Sequence, residues 1–308
     1  MGLDEKRGGV RMGQLHRRKF LQRTKDAAAG FVAAMASPSG AVSAIDSTKI
    51  QGAPTREYGS RSRFEKLKRR ILPARYLSST GSWTPLGHLD GMITPSSLHY
   101  ERHHAGVPDI DPQHHQLLIH GLVDRPLIFS LADIRRFPIE HRICFLECSG
   151  NTYTEWTGPA AVNVQQSHGL TSCSNWSGVS LKTVLEEVGI QNGAGWVVAE
   201  GADGAAMTRS VPLEKCLDDV IVAYAQNGEA LRPEQGYPLR LLVPGFEGSI
   251  SVKWLRRLKV TAGPYYTREE TSKYTDLLPS GRAREFTFVM EAKSVITSPS
   301  AGQKLTSK

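Results

Sequence analysis

The chain has 308 residues, 40% of them hydrophobic and 22% charged, which excludes a mostly disordered polypeptide and suffices for one large domain or two small ones. The formal net charge of +8 raises nucleic acid as a partner, but residues 1–44 alone hold eight Lys or Arg against three acids, which leaves +3 for the remainder. Without an RNP, zinc-finger or helix-turn-helix pattern, nucleic acid is set aside, and the modest excess suits a small anion.

In chain order, the first feature is the twin-arginine signature His16-Arg17-Arg18-Lys19-Phe20-Leu21-Gln22, followed by an apolar run over residues 27–36 and the small residues Val42-Ser43-Ala44. The run is too short to span a bilayer and has the length of a signal peptide's apolar region. Residues 1–44 therefore read as a twin-arginine export signal, with the periplasm as destination and no membrane span after cleavage. That route carries proteins already folded, often around a cofactor inserted beforehand. A polar, Arg-rich linker or arm over 45–84 follows, with one short helical candidate over residues 64–70.

From Trp83 onward short strand patterns dominate, over residues 116–120, 142–148, 196–200 and 239–243. Amphipathic helices are predicted over 130–136 and 180–187, each opened by a Ser cap, the second closed by Gly189. Strands and short helices interleave without a regular βαβ repeat, so the predicted class is α+β with complex mixed sheets.

Four cysteines need explaining: Cys144, Cys148, Cys173 and Cys216. On one strand, at about 3.3 Å per residue, Cys144 and Cys148 stand about 13 Å apart, beyond the about 7 Å that a disulfide permits. Cys148 ends an apolar strand just before Ser149-Gly150-Asn151, where the backbone turns and side chains are presented. Locally, a buried thiol acting as a small hydrophobe and a functional thiolate both stay open. Cys144, Cys173 and Cys216 read as packing residues, as do the tryptophans, Trp156 among them. The adjacent pairs His103-His104 and His114-His115 have the wrong spacing for zinc. Gly193-Ala194-Gly195 precedes its strand and reads as a turn, not a dinucleotide loop.

Phe145-Leu146-Glu147-Cys148-Ser149-Gly150-Asn151 resembles the cysteine-ligand motif of the sulfite oxidase family, and further segments follow in family order. These are Asn227-Gly228-Glu229-Ala230-Leu231, Gly236-Tyr237-Pro238-Leu239-Arg240, Val243-Pro244-Gly245 and Val252-Lys253-Trp254-Leu255; the resemblance covers residues 85–295. Within the family, the segments Glu270-Thr271-Ser272-Lys273-Tyr274-Thr275-Asp276 and Glu291-Ala292-Lys293-Ser294-Val295-Ile296-Thr297 resemble the sulfane dehydrogenase subunit of bacterial thiosulfate oxidation. The resemblance implies a molybdopterin-binding oxidoreductase domain over 85–290 and a molybdenum–molybdopterin cofactor, with Cys148 as the thiolate on the metal. It also implies that Tyr100, Arg102, His103 and His104 form the first pterin-contacting segment, with Arg102 binding the substrate anion. Asp203 would accept from the pterin's amino groups, and Gln235 stands where the family has a histidine. Arg240, Ser251, Val252 and Lys253 would hold the cofactor phosphate, and Tyr274 would donate to the reacting oxygen. Cys148, Arg102 and Tyr274 are thus the expected catalytic set.

Two departures bear on the substrate and the assembly. Sulfite oxidases follow the cysteine motif with paired arginines, but here Thr152-Tyr153 leave a less basic anion pocket. The expected reaction is oxygen-atom transfer to sulfane sulfur on a sulfur-carrier protein rather than to a small sulfur oxyanion. Without a Cys-x-x-Cys-His motif no haem is expected in this chain, and the expected electron acceptor is a separate cytochrome c. Relatives continue into an immunoglobulin-like dimerisation domain, whereas this chain stops at Lys308; residues 291–308 read as the start of that domain, truncated, which puts dimerisation in doubt. The competing readings are a sulfite dehydrogenase acting on free sulfite and, from another class, a cofactor-free binding module.

Overall fold

The computed structural model describes residues 47–73, 79–153, 163–300 and 303–306; the expected export signal and Trp156 lie outside them. The chain divides into two units, Met1–Arg61 and Ser62–Lys308. In the first, the described residues 47–61 hold a single 3₁₀ turn, Ser47–Lys49.

The second unit begins with a small antiparallel sheet in the order β1 (Arg70–Ile71), β2 (Gly81–Trp83), β3 (Glu101–Arg102). The helix expected over residues 64–70 is not formed: after a turn at Arg63 and Phe64 the chain runs extended into β1. A seven-residue helix is marginal without an apolar face to bury, and Phe64 is exposed here. Arg69, held by Glu101 and the His99 carbonyl, draws the backbone into strand pairing instead. The folded unit therefore takes in the last part of the expected arm.

β4 (Gln116–Gly121) and β5 (Leu127–Ser130) form a hairpin. Ser130 then opens α1 (Leu131–Ile134) with a capping box, its hydroxyl accepting from Asp133 N–H while the Asp133 carboxylate accepts from Ser130 N–H. β6 (Glu140–Glu147), α2 (Val164–His168) and β7 (Thr171–Ser180) follow, then α3 (Leu181–Val188). Leu181, Val184, Leu185 and Val188 repeat at helical spacing and are all buried. Ser180 makes no side-chain cap here. Gly189 ends α3 at φ +70°, and a β-carbon there would meet the Asp124 carboxylate at 2.5 Å, so only glycine turns the chain at this point.

The remaining elements are β8 (Trp196–Gly201), β9 (Thr208–Pro212), α4 (Leu213–Asp218), β10 (Ile221–Gln226), β11 (Glu229–Ala230), β12 (Arg240–Leu242), β13 (Leu255–Thr261), α5 (Arg268–Ser272), and the ribbon of β14 (Asp276–Leu277) with β15 (Ala283–Arg284). They complete two five-stranded sheets. One runs β11-β10-β7-β6 with β12 also on β10; the other runs β5-β4-β13-β8-β9, with β13 parallel to β4. Leu117 and Ile119 of β4, Val179 of β7, Val222 of β10, Leu241 of β12 and Leu258 of β13 share one buried core with α3. Each such side chain contributes about 1.5–3 kcal/mol on burial, so the core locks the two sheets together and fixes where their ends meet. One antiparallel and one mixed five-stranded sheet with few, short helices make this an α+β fold. Among the described residues no helix is long and apolar enough to cross a membrane.

Candidate active site

All four cysteines are free. Cys148 follows directly on β6, whose pairing with β7 ends at Glu147 opposite Thr171. Beyond the ladder, Cys148 N–H donates to Leu170 O at 3.0 Å and Asn151 N–H donates to Cys148 O at 2.9 Å. The buried Asn151 closes this turn: its Nδ2 donates to Glu147 Oε1 (2.9 Å) and Thr171 Oγ1 (2.7 Å), and its Oδ1 accepts from Leu170 N–H (3.0 Å). Thr152, at φ +63°, turns the chain away. Burial pushes the Cys148 thiol up, opposed by Gly150 N–H 3.4 Å from the sulfur and by the charges of Arg102 and Lys253. Such a thiol ionises when a cation binds against it.

The segment after β2 and β3 brings in the histidines. His103 is buried, with Nδ1 2.7 Å from Lys253 Nζ and Nε2 2.8 Å from Glu101 Oε2. Burial, then Lys253, pulls its pKa down to about 3, so the ring is neutral, accepting from Lys253 at Nδ1 and donating from Nε2 to Glu101. Lys253 also donates to Arg102 O and Glu234 O, each at 3.1 Å. Three acceptors surround the Lys253 amine, whose pKa burial and then Arg240 hold well below the usual lysine range. Lys253 thus braces the β3 segment, and a phosphate contact from it requires one of these bonds to be exchanged. His104 is pulled down to about 4 by burial and by Arg102. Arg102 itself is half-buried, donating to Ser79 Oγ at 3.2 Å.

Arg240, at the start of β12, donates from Nη1 to Gln235 O (3.0 Å) and from Nη2 to Ser251 O (2.9 Å), with its guanidinium 4.9 Å from the centre of the Trp176 ring. Burial lowers its pKa to about 10. Gln235 donates to Tyr100 O at 2.9 Å, tying the 100–104 segment to the β12 loop. Ser251 Oγ accepts from Val243 N–H at 3.0 Å, the Val252 side chain lies in the core, and Asp203 Oδ1 accepts from Met207 N–H at 3.0 Å. Behind α5, Tyr274 N–H donates to Glu269 O, and burial pushes its phenol up to about 12.

Every residue that the sequence singled out lines one cavity: Tyr100, Arg102, His103, His104, Cys148, Asp203, Gln235, Arg240, Ser251, Val252, Lys253 and Tyr274. It encloses about 640 Å³, its open mouth included. Sequence reasoning missed His99, Gly248 and Ser249, which line it too. A β-carbon on Gly248 would stand 2.5 Å from the Tyr100 hydroxyl and 2.8 Å from Glu147 O, so the loop passes here only as bare backbone. Nothing local marks His99; a resemblance confined to known contacts leaves it out. His99 donates from Nδ1 to Tyr100 O at 3.1 Å, burial pulls its pKa down to about 3, and its Nε2 acceptor is buried with no partner. The Arg240 Nε donor is likewise buried and unpaired. Buried polar atoms without partners are uncommon; these two face a cavity that offers a buried thiol to a soft metal and guanidinium groups to anions.

A family model described as an oxidoreductase molybdopterin binding domain matches residues 104–268, just over half of the chain. Tyr100, Arg102, His103 and Tyr274 fall outside that span yet line the same cavity. Among solved structures, the sulfane dehydrogenase SoxCD from Paracoccus pantotrophus is 42% identical and superposes with a TM-score of 0.79, covering 86% of this chain and 70% of that one. NADH nitrate reductases of Ulva prolifera and Solanum lycopersicum are each 36% identical, over 197 and 206 residues, or 56% and 62% of this chain. The chain spans only 22% of the length of each of these two reductases.

Proposed function

This chain belongs to the sulfite oxidase family of molybdopterin-binding oxidoreductases, and we propose that it oxidises sulfane sulfur held on a carrier protein in the periplasm, passing electrons to a cytochrome c. Membership brings a molybdenum–molybdopterin cofactor. The residues present fit that group: a buried thiol at Cys148, and an unpaired donor and acceptor at Arg240 Nε and His99 Nε2. Cys148 would hold the metal, Tyr100, His103, His104, Asp203 and Gln235 the pterin, and Arg240 with the Ser251–Lys253 backbone the phosphate. When bound, the cofactor supplies a two-electron oxidation in which oxygen from water ends on the substrate.

The chain's own residues do the positioning. Arg102 presents a guanidinium that orients an oxyanion through parallel hydrogen bonds. Tyr274 keeps its proton at neutral pH, since burial holds the phenol near 12, and so donates a hydrogen bond without giving the proton up. His103, neutral and fixed between Glu101 and Lys253, holds the Lys253 amine beside the cavity without adding a charge of its own. Burial of Cys148 limits the access of water to the thiolate.

The observation that carries the reading is the likeness to a sulfane dehydrogenase across 86% of the chain. Thr152 and Tyr153, in place of an arginine pair, support a substrate less dependent on cationic capture. The twin-arginine signature supports export. Steady-state turnover of the purified, molybdenum-loaded protein with a carrier-bound thiosulfate adduct, with free sulfite and with nitrate tests it. Preference for the adduct is expected. Faster oxidation of free sulfite, or reduction of nitrate, overturns it.

A further inference from the structure

Glu270 of α5 has no exposed surface; it accepts from Arg209 Nε at 2.9 Å, from Arg209 Nη2 at 3.3 Å and from Ser210 N–H at 3.1 Å. Arg209 on β9 is equally buried, donates from Nη1 to Ser249 Oγ, and stands 3.8 Å from Glu247. The guanidinium lies 4.2 Å from the centre of the Tyr274 ring. Arg209 does not line the cavity, whereas Tyr274 and Ser249 do. A buried ion pair adds little stability over apolar residues of the same volume, because desolvating both charges offsets their attraction. What this pair does supply is orientation: a planar fork gripped by a carboxylate cannot rotate, and it meets the aromatic ring at cation–π distance.

We propose that Arg209, clamped by Glu270, is a positioning residue that holds the Tyr274 ring against the cavity wall without touching a ligand. The inference rests on the reading of Tyr274 as the hydrogen-bond donor. Burial raises the phenol's pKa and the adjacent guanidinium opposes that rise, so loss of Arg209 leaves the phenol both less firmly placed and a weaker donor. α5 and the residues just after it supply the clamp and the tyrosine from one short stretch, and Tyr274 N–H bonded to Glu269 O keeps the two in fixed relation.

The test places 3-fluorotyrosine at position 274 of the full, cofactor-loaded chain and reads its ¹⁹F resonance in the parent, in Arg209→Lys and in the double variant Arg209→Met/Glu270→Met. The double variant removes both charges of the Arg209–Glu270 pair together. The parent should show one narrow line displaced from that of exposed fluorotyrosine. In the double variant the line should move toward the exposed position, while kcat with sulfite and ferricyanide falls about 10-fold and KM changes less than about 3-fold. Arg209→Lys, which keeps the charge and loses the fork, should fall between. A folded double variant with the parental line overturns the proposal. If the double variant does not fold, the parental line in Arg209→Lys overturns it equally. Tyr274→Phe separates the two ideas: unchanged turnover there defeats the donor role of Tyr274, while the ¹⁹F line still decides what Arg209 holds.

Discussion

Cys148 and the histidines of the cavity make opposite demands on protons. Cys148→Ser keeps the turn's backbone bonds but replaces a soft ligand by a hard, weakly acidic one. The protein should fold with its melting temperature little changed, while retained molybdenum, measured by plasma mass spectrometry, and turnover fall by at least about 100-fold. His99 and His103 have pKa values of about 3 and His104 of about 4 in the folded chain, against 6.5 without burial. A depressed histidine pKa means that the unfolded chain takes up protons which the folded one refuses. Stability is therefore full above pH 6.5 and falls with acidification, by about 1.4 kcal/mol per unit for each histidine. Glu247, raised to about 7 from 4.5, acts the other way, stabilising the fold as pH falls from 7 to 4.5. Three histidines outweigh one carboxyl, so urea melts should show a net loss of about 2.7 kcal/mol per unit between pH 6 and pH 5. In His99→Phe that slope should fall by about half. The histidines stand in plain view in the sequence, but burial, with the cations packed around them, decides their protonation.

The turn after β6 depends on one side chain. Asn151 makes three strong bonds to Glu147, Thr171 and Leu170, joining the end of β6 to the start of β7. Asn151→Ala strands Leu170 N–H and frees the loop that carries Cys148, so a loss of about 2–3 kcal/mol in denaturant melts is expected. An unchanged midpoint would refute that role. At this level the sequence was partly legible. Alternating residues and Ser-Gly-Asn located β6 and its turn, and the apolar stripe of α3 with Gly189 beyond it located that helix closely. The same logic failed over residues 64–70, where good helix-forming residues had no apolar face to bury and Arg69 was captured by Glu101. Propensity is weak against a partner supplied from thirty residues away.

For the molecule as a whole, His99 and Arg240 line the cavity and each keeps a buried polar atom unpaired, so a ligand that pairs them stabilises the fold. Protein from a host unable to make molybdopterin should fold but melt at a lower temperature than loaded protein. A ligand at 100 times its Kd adds about 2.7 kcal/mol, and calorimetry of the two forms measures the difference. Equal melting temperatures would show that the cavity does not bind the group.

Local pattern was enough for the α+β class, for the strands β4, β6, β8 and β12 and for the Ser130 cap, because apolar runs, helical spacing and turn residues each report on a single element. Resemblance added the residues now found around the cavity, from Tyr100 to Tyr274. What no stretch of chain contained was how those residues are engaged. The acceptors around Lys253 and the Arg209–Glu270 clamp beneath Tyr274 join residues 19 to 151 positions apart, and tertiary burial is what leaves Nε2 of His99 unpaired. Cys148 is a ligand candidate by motif. It becomes a site only where β6, the β12–β13 loop and α5 converge, and that convergence follows from sheet register and a shared core.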